Sequence, residues 1–194
     1  MQQFVGINVI FYYGTTLWEA VGFSADDSLQ INLISGGINI IATLVAISLV
    51  DRIGRKPILF TGSVALSITL IVLVLMFASG TTDSSGQLIL PSPQNLIALV
   101  AANAYVFAFG VSWGPVVWVL LGEMFNNRIR AAALAVAVTA QWLSNWLVTV
   151  SFPPILDSVG PGAAYLIYAV FALISIYFVR RYLTETKGRE LEQM

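Results

Sequence analysis

The side chains that could do chemistry in this chain are carboxamides and aromatics set inside long apolar segments. Gln141 and Asn145 are four residues apart, so they lie on one face of a helix. Trp142 and Trp146 form a parallel stripe beside them. Carboxamides both donate and accept hydrogen bonds, and aromatic faces pack against the C–H faces of a pyranose ring. The combination favours binding of a neutral, polyhydroxylated solute over binding of an ion.

Further polar and aromatic side chains lie in other apolar segments and extend this candidate set. They are Gln2, Gln3, Asn8, Tyr12, Tyr13, Asn39, Asn103, Trp113 and Trp118. Inside a bilayer such side chains face the interior of a helix bundle or a cavity. A single Asn or Gln is equally well explained as a contact between helices. The number of carboxamides and their aromatic neighbours favour a lined cavity.

The first apolar segment must break if its polar residues are to act together. On a regular helix Asn8 lies about 120° from Gln2 and about 140° from Gln3. These three side chains share a site only if the helix bends or unwinds, and Gly6 and Gly14 are the positions at which it could do so.

A second break is predicted at Gly114-Pro115, between Trp113 and Trp118. Proline removes a helical hydrogen bond and glycine lowers the stiffness of the backbone. Discontinuous helices near the membrane midplane are typical of secondary transporters. Glycine and proline are also common in membrane helices generally, but their place beside two tryptophans favours a functional hinge.

The composition predicts that membrane helices position these residues. Hydrophobic residues make up 58% of the 194 residues and charged residues 10%, whereas a soluble domain is about 25% charged. Mean hydropathy is +0.84. These values exclude a disordered chain, a nucleic-acid-binding protein and an ordinary cytosolic enzyme. The sequence has no Cys and no His, so we expect no disulfide, no metal, no cofactor and no enzymatic acid–base pair.

Six apolar segments have the length of a membrane span, which predicts an all-α membrane protein with six transmembrane helices. The spans are about 4–21, 29–50, 57–79, 94–125, 131–152 and 162–183, followed by a tail, 184–194. All nine Lys and Arg residues lie in the second and fourth loops, at the very end of the sixth span or in the tail. The positive-inside rule therefore predicts a multi-pass protein of the cell membrane with both termini cytoplasmic.

Five motifs follow one another along the whole chain. They are Gln-Gln-Phe-Val-Gly-Ile-Asn at 2–8, Asp-Arg-Ile-Gly-Arg-Lys at 51–56, Trp-Gly-Pro-Val-Val-Trp at 113–118, Gln-Trp with Asn-Trp at 141–146, and Glu-Thr-Lys-Gly at 185–188. In this order they resemble the C-terminal half of a sugar porter of the major facilitator superfamily. The resemblance is strongest to its bacterial branch of glucose permeases and D-xylose–proton symporters.

The resemblance implies the C-terminal six-helix bundle of a transporter that works by alternating access. A hexose or pentose, such as glucose or xylose, would bind between this bundle and an N-terminal one. Sugar contacts are implied for Gln2, Gln3, Asn8, Asn39, Trp118, Gln141 and, less directly, Asn145. Gate roles are implied for Tyr12 and Tyr13 and expected of the Gly114-Pro115 hinge. A cytoplasmic charge network is implied for Asp51, Arg52, Arg55, Glu123, Arg130 and Glu185.

The first six helices of that family have no counterpart here. We therefore expect an N-terminal six-helix half as a partner, besides the lipid bilayer. That half would supply any proton-coupling carboxylate, because no span here has one near its middle. The alternatives are a homodimeric half-transporter, a truncated remnant that does not transport and, less favoured, a membrane scaffold. Arg52, Arg55 and Lys56 could also serve only to fix the topology.

Overall fold

The computed structural model describes residues 1–20, 23–82 and 88–187. Over these ranges the chain forms six helices and one short hairpin. The helices are α1 (Ile7–Ala20), α2 (Ala25–Ile53), α3 (Arg55–Ala78), α4 (Gln94–Val111), α5 (Pro115–Glu123) and α6 (Arg130–Tyr182). Strands β1 (Thr81–Thr82) and β2 (Leu88–Ile89) pair antiparallel between α3 and α4, with Thr81 opposite Ile89.

Helix α6 is two membrane passes joined at one residue. Its 53 residues would extend about 80 Å if straight, far more than a hydrocarbon core of about 30 Å. Gly160 has φ 78° and ψ 172°, which is not helical. Asn145 and Tyr168 both reach residues 6–8 of the chain, so the helix folds back on itself. We call residues 130–159 the first arm of α6 and residues 161–182 the second arm.

The remaining passes follow from the apolar pattern. Helices α2 and α3, and α4 together with α5, are each long and apolar enough to cross a membrane. The break that separates α4 from α5 falls at residues 112–114, where the sequence predicts it. Helix α1 has only 14 residues, fewer than the about 20 that a membrane span needs, and follows the turns at residues 1–6. With the two arms of α6 counted separately, the helical segments of the described residues follow the order of the six predicted spans.

Two boundaries differ from the predicted spans. Helix α1 begins at Ile7 and not at Phe4, because Gly6 adopts φ 86° and interrupts the helix. Gly14, the other predicted break, lies inside the continuous helix α1. The loop predicted between the fifth and sixth spans is largely helical, since the first arm of α6 continues through Pro153 and Pro154 as far as Gly160.

Helix α3 lies at the centre of the bundle and packs against α4 and α6. Its buried leucines recur every three to seven residues, at Leu59, Leu66, Leu70 and Leu73, which is one face of a helix. The outward faces of α2 and of the first arm of α6 carry exposed Leu, Ile, Val and Trp side chains. Exposed apolar faces of this size suit a lipid or protein environment.

Candidate solute-binding site

The N-terminal turn places two glutamines against the helix bundle. Gly6 N donates to the Gln3 carbonyl oxygen at 3.1 Å, which closes a turn before α1 begins. A Cβ atom on Gly6 would lie 2.6 Å from Cγ of Tyr168, and φ is +86°, so glycine alone fits there. The turn takes Gln2 and Gln3 off the helical path of α1 and removes the angular conflict noted in the sequence.

Gln2 connects three elements through its carboxamide. Gln141, on the first arm of α6, donates from Nε2 to Gln2 Oε1. Gln2 Nε2 donates to the carbonyl oxygens of Trp113 at 2.6 Å and Gly114 at 3.2 Å. Both carbonyls lie in the stretch that separates α4 from α5. The Gly114-Pro115 break thus supplies acceptors to the site in addition to any flexibility.

A second group of amides lies beside the first. Asn8 Nδ2 donates to Gln3 Oε1 and, at 2.6 Å, to Asn145 Oδ1. Tyr13, further along α1, donates from its hydroxyl to the Thr149 carbonyl oxygen at 3.2 Å. The structure therefore brings together five of the predicted carboxamides: Gln2, Gln3, Asn8, Gln141 and Asn145.

A cavity of about 330 Å³ opens beside Gln2, Gln3 and Gln141, at the lower end of the usual range for ligand pockets. Trp113 forms part of its wall and is fixed there by a 2.9 Å hydrogen bond from its indole nitrogen to Ser63 Oγ. The other wall residues are mainly apolar: Leu59, Val117, Leu120, Leu121, Met124, Ala137, Ala140, Phe178 and Leu183. The cavity thus has one polar end and a long apolar wall.

Some amide groups of the cluster are left without a protein partner in the described part of the chain. They are Gln3 Nε2, Gln141 Oε1 and Asn145 Nδ2. Two are donors and one is an acceptor, which is the mixture that several hydroxyl groups on one small molecule would satisfy. None of these three groups is ionisable.

Three predicted residues lie apart from this cluster. Asn39 lies at the contact of α2 with α4, where its Oδ1 would be 2.9 Å from a Cβ atom on Gly110. Trp118 is 43% exposed and Tyr12 is 56% exposed, and neither lines the cavity. Their predicted roles in sugar contact and gating remain predictions.

Arg55 is the centre of the charge network at the basic end of the molecule. It is 7% exposed. Its Nη2 and Nε lie 2.6 and 2.9 Å from the two carboxylate oxygens of Glu123, and Nη2 lies 2.9 Å from Asp51. Burial by itself would lower the pKa of this guanidinium, but hydrogen bonds and attraction from Glu123 and then Asp51 raise it. The pair ties the start of α3 to the end of α5.

Glu185 caps the first turn of α3. Its carboxylate accepts hydrogen bonds from the backbone N–H groups of Arg55 (2.9 Å) and Lys56 (3.0 Å), and from those of Thr186 and Lys187. Partial burial would raise the pKa of this carboxyl, but the four N–H donors outweigh that effect and lower it. A carboxylate at a helix N-terminus is also favoured by the helix dipole.

The other two predicted members of the network are not ion-paired within the described ranges. Arg52 contributes its carbonyl oxygen, which accepts from Lys187 Nζ. Arg130 donates from Nε to the Phe125 carbonyl at 3.3 Å, and its Nη2 is buried without a partner. Sequence reasoning did not identify Thr186, which is buried and donates to Glu123 at 2.6 Å. Its only signal was its place between Glu185 and Lys187.

Matches to known proteins extend over the whole chain. The family model described as sugar (and other) transporter matches residues 1–194. The glucose transport protein of Synechocystis is 57% identical over 194 residues, which are all of this chain and 41% of that protein. The D-xylose-proton symporter of Escherichia coli K12 is 39% identical over 202 residues, covering all of this chain and 38% of the symporter.

Solved structures give the same picture. A structure of the proton:xylose symporter XylE, of the major facilitator superfamily, bound to 6-bromo-6-deoxy-D-glucose, superposes with a TM-score of 0.83 at 38% identity. The match covers 98% of this chain and 39% of that protein. An inward-open structure of the xylose transporter from E. coli matches with a TM-score of 0.81. The chain spans about two fifths of the length of these relatives.

Proposed function

The chain belongs to the sugar transporter family and has the fold of one six-helix half of a major facilitator, and from this premise we propose that it forms one wall of a monosaccharide site. The sugar is a hexose such as glucose or a pentose such as xylose. Transport occurs by alternating access, when this bundle moves against an N-terminal six-helix half.

The observation that carries the proposal is the cluster of five carboxamides beside the cavity. Gln2, Gln141 and Asn8 each bond to another amide of the cluster, so sugar hydroxyls can replace these bonds one for one. Such an exchange keeps the net cost of entry low, since amide–amide and amide–hydroxyl hydrogen bonds are of similar strength. Trp113, which is in the same cavity wall, offers an aromatic surface for the C–H face of a sugar ring.

Two hinges support movement of the bundle. The chain is non-helical at Gly6 and between α4 and α5, and the amide cluster joins both places through Gln2. Binding at the cluster therefore acts on two breaks at once. The Arg55–Glu123 pair and the Glu185 cap lie at the helix ends, where a change in bundle arrangement would alter their shielding and so bias the equilibrium.

Coupling to protons, if it occurs, belongs to the N-terminal half. The acidic residues of this chain lie at span ends, in loops or in the tail, whereas a proton relay needs an ionisable group within the membrane. The E. coli relative is named a proton symporter, so the partner half is where we expect such a group.

The test is uptake of radiolabelled glucose and xylose into proteoliposomes that contain this chain and the N-terminal half of the Synechocystis relative. We expect uptake from the pair and none from either half alone. Gln141→Ala in the pair should lower it, while Ser158→Ala, an exposed position near Gly160 at the end of the same arm, should not. No uptake when both halves are folded and inserted would refute the half-transporter. Uptake by this chain alone would establish the homodimer instead.

A further inference from the structure

Helix α3 meets the solute site at two levels, although sequence reasoning placed none of its residues in the sugar site. Leu59 lies in the wall of the cavity. Gly62 and Ser63, one turn further along the same face, contact the break between α4 and α5 instead. Neither of these two residues lines the cavity, so any effect that they have on the solute must pass through another residue.

Ser63 holds the indole ring of Trp113. The indole Nε1 of Trp113 donates to Ser63 Oγ at 2.9 Å, while the Ser63 hydroxyl donates to the Leu59 carbonyl oxygen at 2.8 Å. An indole nitrogen can only donate, and a hydroxyl whose proton is engaged within α3 offers it an acceptor in a fixed direction. Ser63 is fully buried and Trp113 is 4% exposed, so water does not compete for this bond.

Gly62 allows the break to approach α3 closely. A Cβ atom on Gly62 would overlap Cβ and Oγ of Ser112, the residue before Trp113. The Ser112 hydroxyl donates to the Ala108 carbonyl oxygen at 2.6 Å, which fixes its direction. We call Gly62 and Ser63 the α3 pair, since the first makes room for Ser112 and the second bonds to Trp113.

The backbone of Trp113 is bonded to the amide cluster. Gln2 Nε2 donates to the Trp113 carbonyl oxygen at 2.6 Å, and Gln141 donates to Gln2 Oε1. When a sugar hydroxyl replaces the bond between Gln141 and Gln2, Gln2 keeps its bonds to the break, and its position then depends on that of Trp113. A series of hydrogen bonds thus runs from α3 through the break and the N-terminal turn to the first arm of α6.

We propose that Ser63 is a positioning residue for the sugar site and acts through Trp113. Its hydrogen bond sets the direction of the indole in the cavity wall and the place of the carbonyl oxygen that orients Gln2. Gly62 permits this arrangement because it admits Ser112. The inference rests on the proposed function, since it takes the solute of the cavity to be a sugar.

The experiment is a double-mutant cycle on the transporter assembled from this chain and the N-terminal half of the Synechocystis relative. Affinities for glucose and xylose are measured by isothermal titration calorimetry for Ser63→Ala, Trp113→Phe and the double variant. Phenylalanine has no N–H group, so Trp113→Phe removes the same hydrogen bond from its other end. We expect Ser63→Ala to weaken sugar binding about fivefold, because a buried N–H group loses its acceptor. In the Trp113→Phe background the same change should alter affinity by less than about twofold.

Ser175→Ala is the matched control. Ser175 is as fully buried as Ser63, and its hydroxyl donates to the Ala172 carbonyl oxygen at 2.6 Å within the second arm of α6. This variant should leave the affinity for sugar unchanged. A second readout needs no sugar, namely the indole N–H signal of Trp113 in NMR spectra of protein with isotope-labelled tryptophan, identified by its loss in Trp113→Phe. The signal should shift in Ser63→Ala and stay in place in Ser175→Ala.

Four results would overturn the proposal. They are unchanged sugar affinity in Ser63→Ala, an equal loss in the native and Trp113→Phe backgrounds, an equal loss in Ser175→Ala, and an indole signal that does not move. Should Ser63→Ala fail to fold, Ser63→Cys, whose sulfur is a weak acceptor, enters the same cycle with the same expected pattern. If the unsubstituted transporter binds neither sugar, the proposed function is refuted and this proposal with it, whereas the four results above leave that function intact.

Discussion

Gln2 donates to two backbone carbonyls and accepts from Gln141, so the carboxamide of one residue coordinates three parts of the chain. Residue types and spacing were enough to select Gln141 and Asn145 as neighbours on a helix. They were not enough to pair Gln3 with Asn8, because that contact depends on the positive φ of Gly6. A Cβ atom at Gly6 would meet Tyr168, 162 residues later, and no local pattern records such a close approach.

Replacement of Gln141 by alanine tests the polar end of the cavity. The variant removes a direct amide and leaves Gln2 Oε1 without its donor, which costs about 1–2 kcal/mol. We expect the affinity for glucose or xylose to fall about 5–30-fold in the assembled transporter, as measured by isothermal titration calorimetry. Ser158→Ala is the control, since its exposed hydroxyl donates to the Ile155 carbonyl on the same arm. Equal losses in the two variants would contradict a role specific to Gln141.

Replacement of Gly6 by alanine tests the break before α1. The new Cβ atom would lie 2.6 Å from Tyr168 Cγ, at a φ of +86° that L-residues rarely adopt. We expect a loss of about 1–3 kcal/mol of stability, observed as a lower midpoint of thermal unfolding in detergent. Gly36→Ala is the matched control, since no atom lies within 4 Å of its Cβ position. An unchanged midpoint for Gly6→Ala would mean that the turn is not required.

At the scale of elements, Glu185 holds the C-terminal segment against the first turn of α3. Glu185→Gln keeps the shape but removes the charge that four backbone N–H groups share. Loss of a charged hydrogen-bond acceptor here should cost about 1 kcal/mol, because the group is partly exposed. We expect amide hydrogen exchange at Arg55 and Lys56 to be about fivefold faster. Asp157→Asn, an exposed position between the arms of α6, should leave both rates unchanged.

The same contact predicts the direction of a pH effect. The folded state lowers the pKa of Glu185, so the stabilisation is complete above the ordinary pKa range of a glutamate. It is lost as the pH falls through the lower folded value. Corrected for the intrinsic pH dependence of exchange, protection at Arg55 and Lys56 should decline only in acid. In Glu185→Gln the corrected protection should be independent of pH, and a decline at the same pH in that variant would assign the effect to another group.

Hydropathy was enough to predict most of the helices, but it did not predict their exact ends. Uninterrupted apolar runs predicted the passes, and Gly114-Pro115 predicted the break between α4 and α5. The fifth predicted span ends at residue 152, whereas the helix itself continues through Pro153 and Pro154 to Gly160. In a membrane helix neighbouring groups can satisfy the carbonyls that a proline leaves free. Side-chain partners such as those of Thr186 depend on tertiary packing and lie beyond any such pattern.

At the scale of the whole molecule, this bundle carries large exposed aromatic side chains outside its polar site. The amide cluster and the cavity lie within it, whereas Trp118 and the outward side chains of the first arm of α6, such as Trp142 and Trp146, are exposed. The relatives that it matches are about two and a half times longer. We expect these exposed aromatics to become buried when an N-terminal half is present, and the fluorescence emission of the five tryptophans to shift to shorter wavelength on assembly. An unshifted spectrum on verified assembly would assign that face to lipid.

A labelling measurement can decide the orientation of the chain in the membrane. The sequence has no cysteine, so one introduced thiol reports its own side. Asn127 and Thr184 lie at the two ends of α6 and Ser158 lies next to its fold-back; all three are exposed, and none is charged. In intact cells a membrane-impermeant maleimide should label Ser158→Cys at once, and Asn127→Cys and Thr184→Cys only after permeabilisation.

If α6 crossed the membrane once, Asn127→Cys and Thr184→Cys would label from opposite sides. If both labelled from outside and Ser158→Cys did not, the fold-back would stand and the cytoplasmic placement of the basic loops would be wrong.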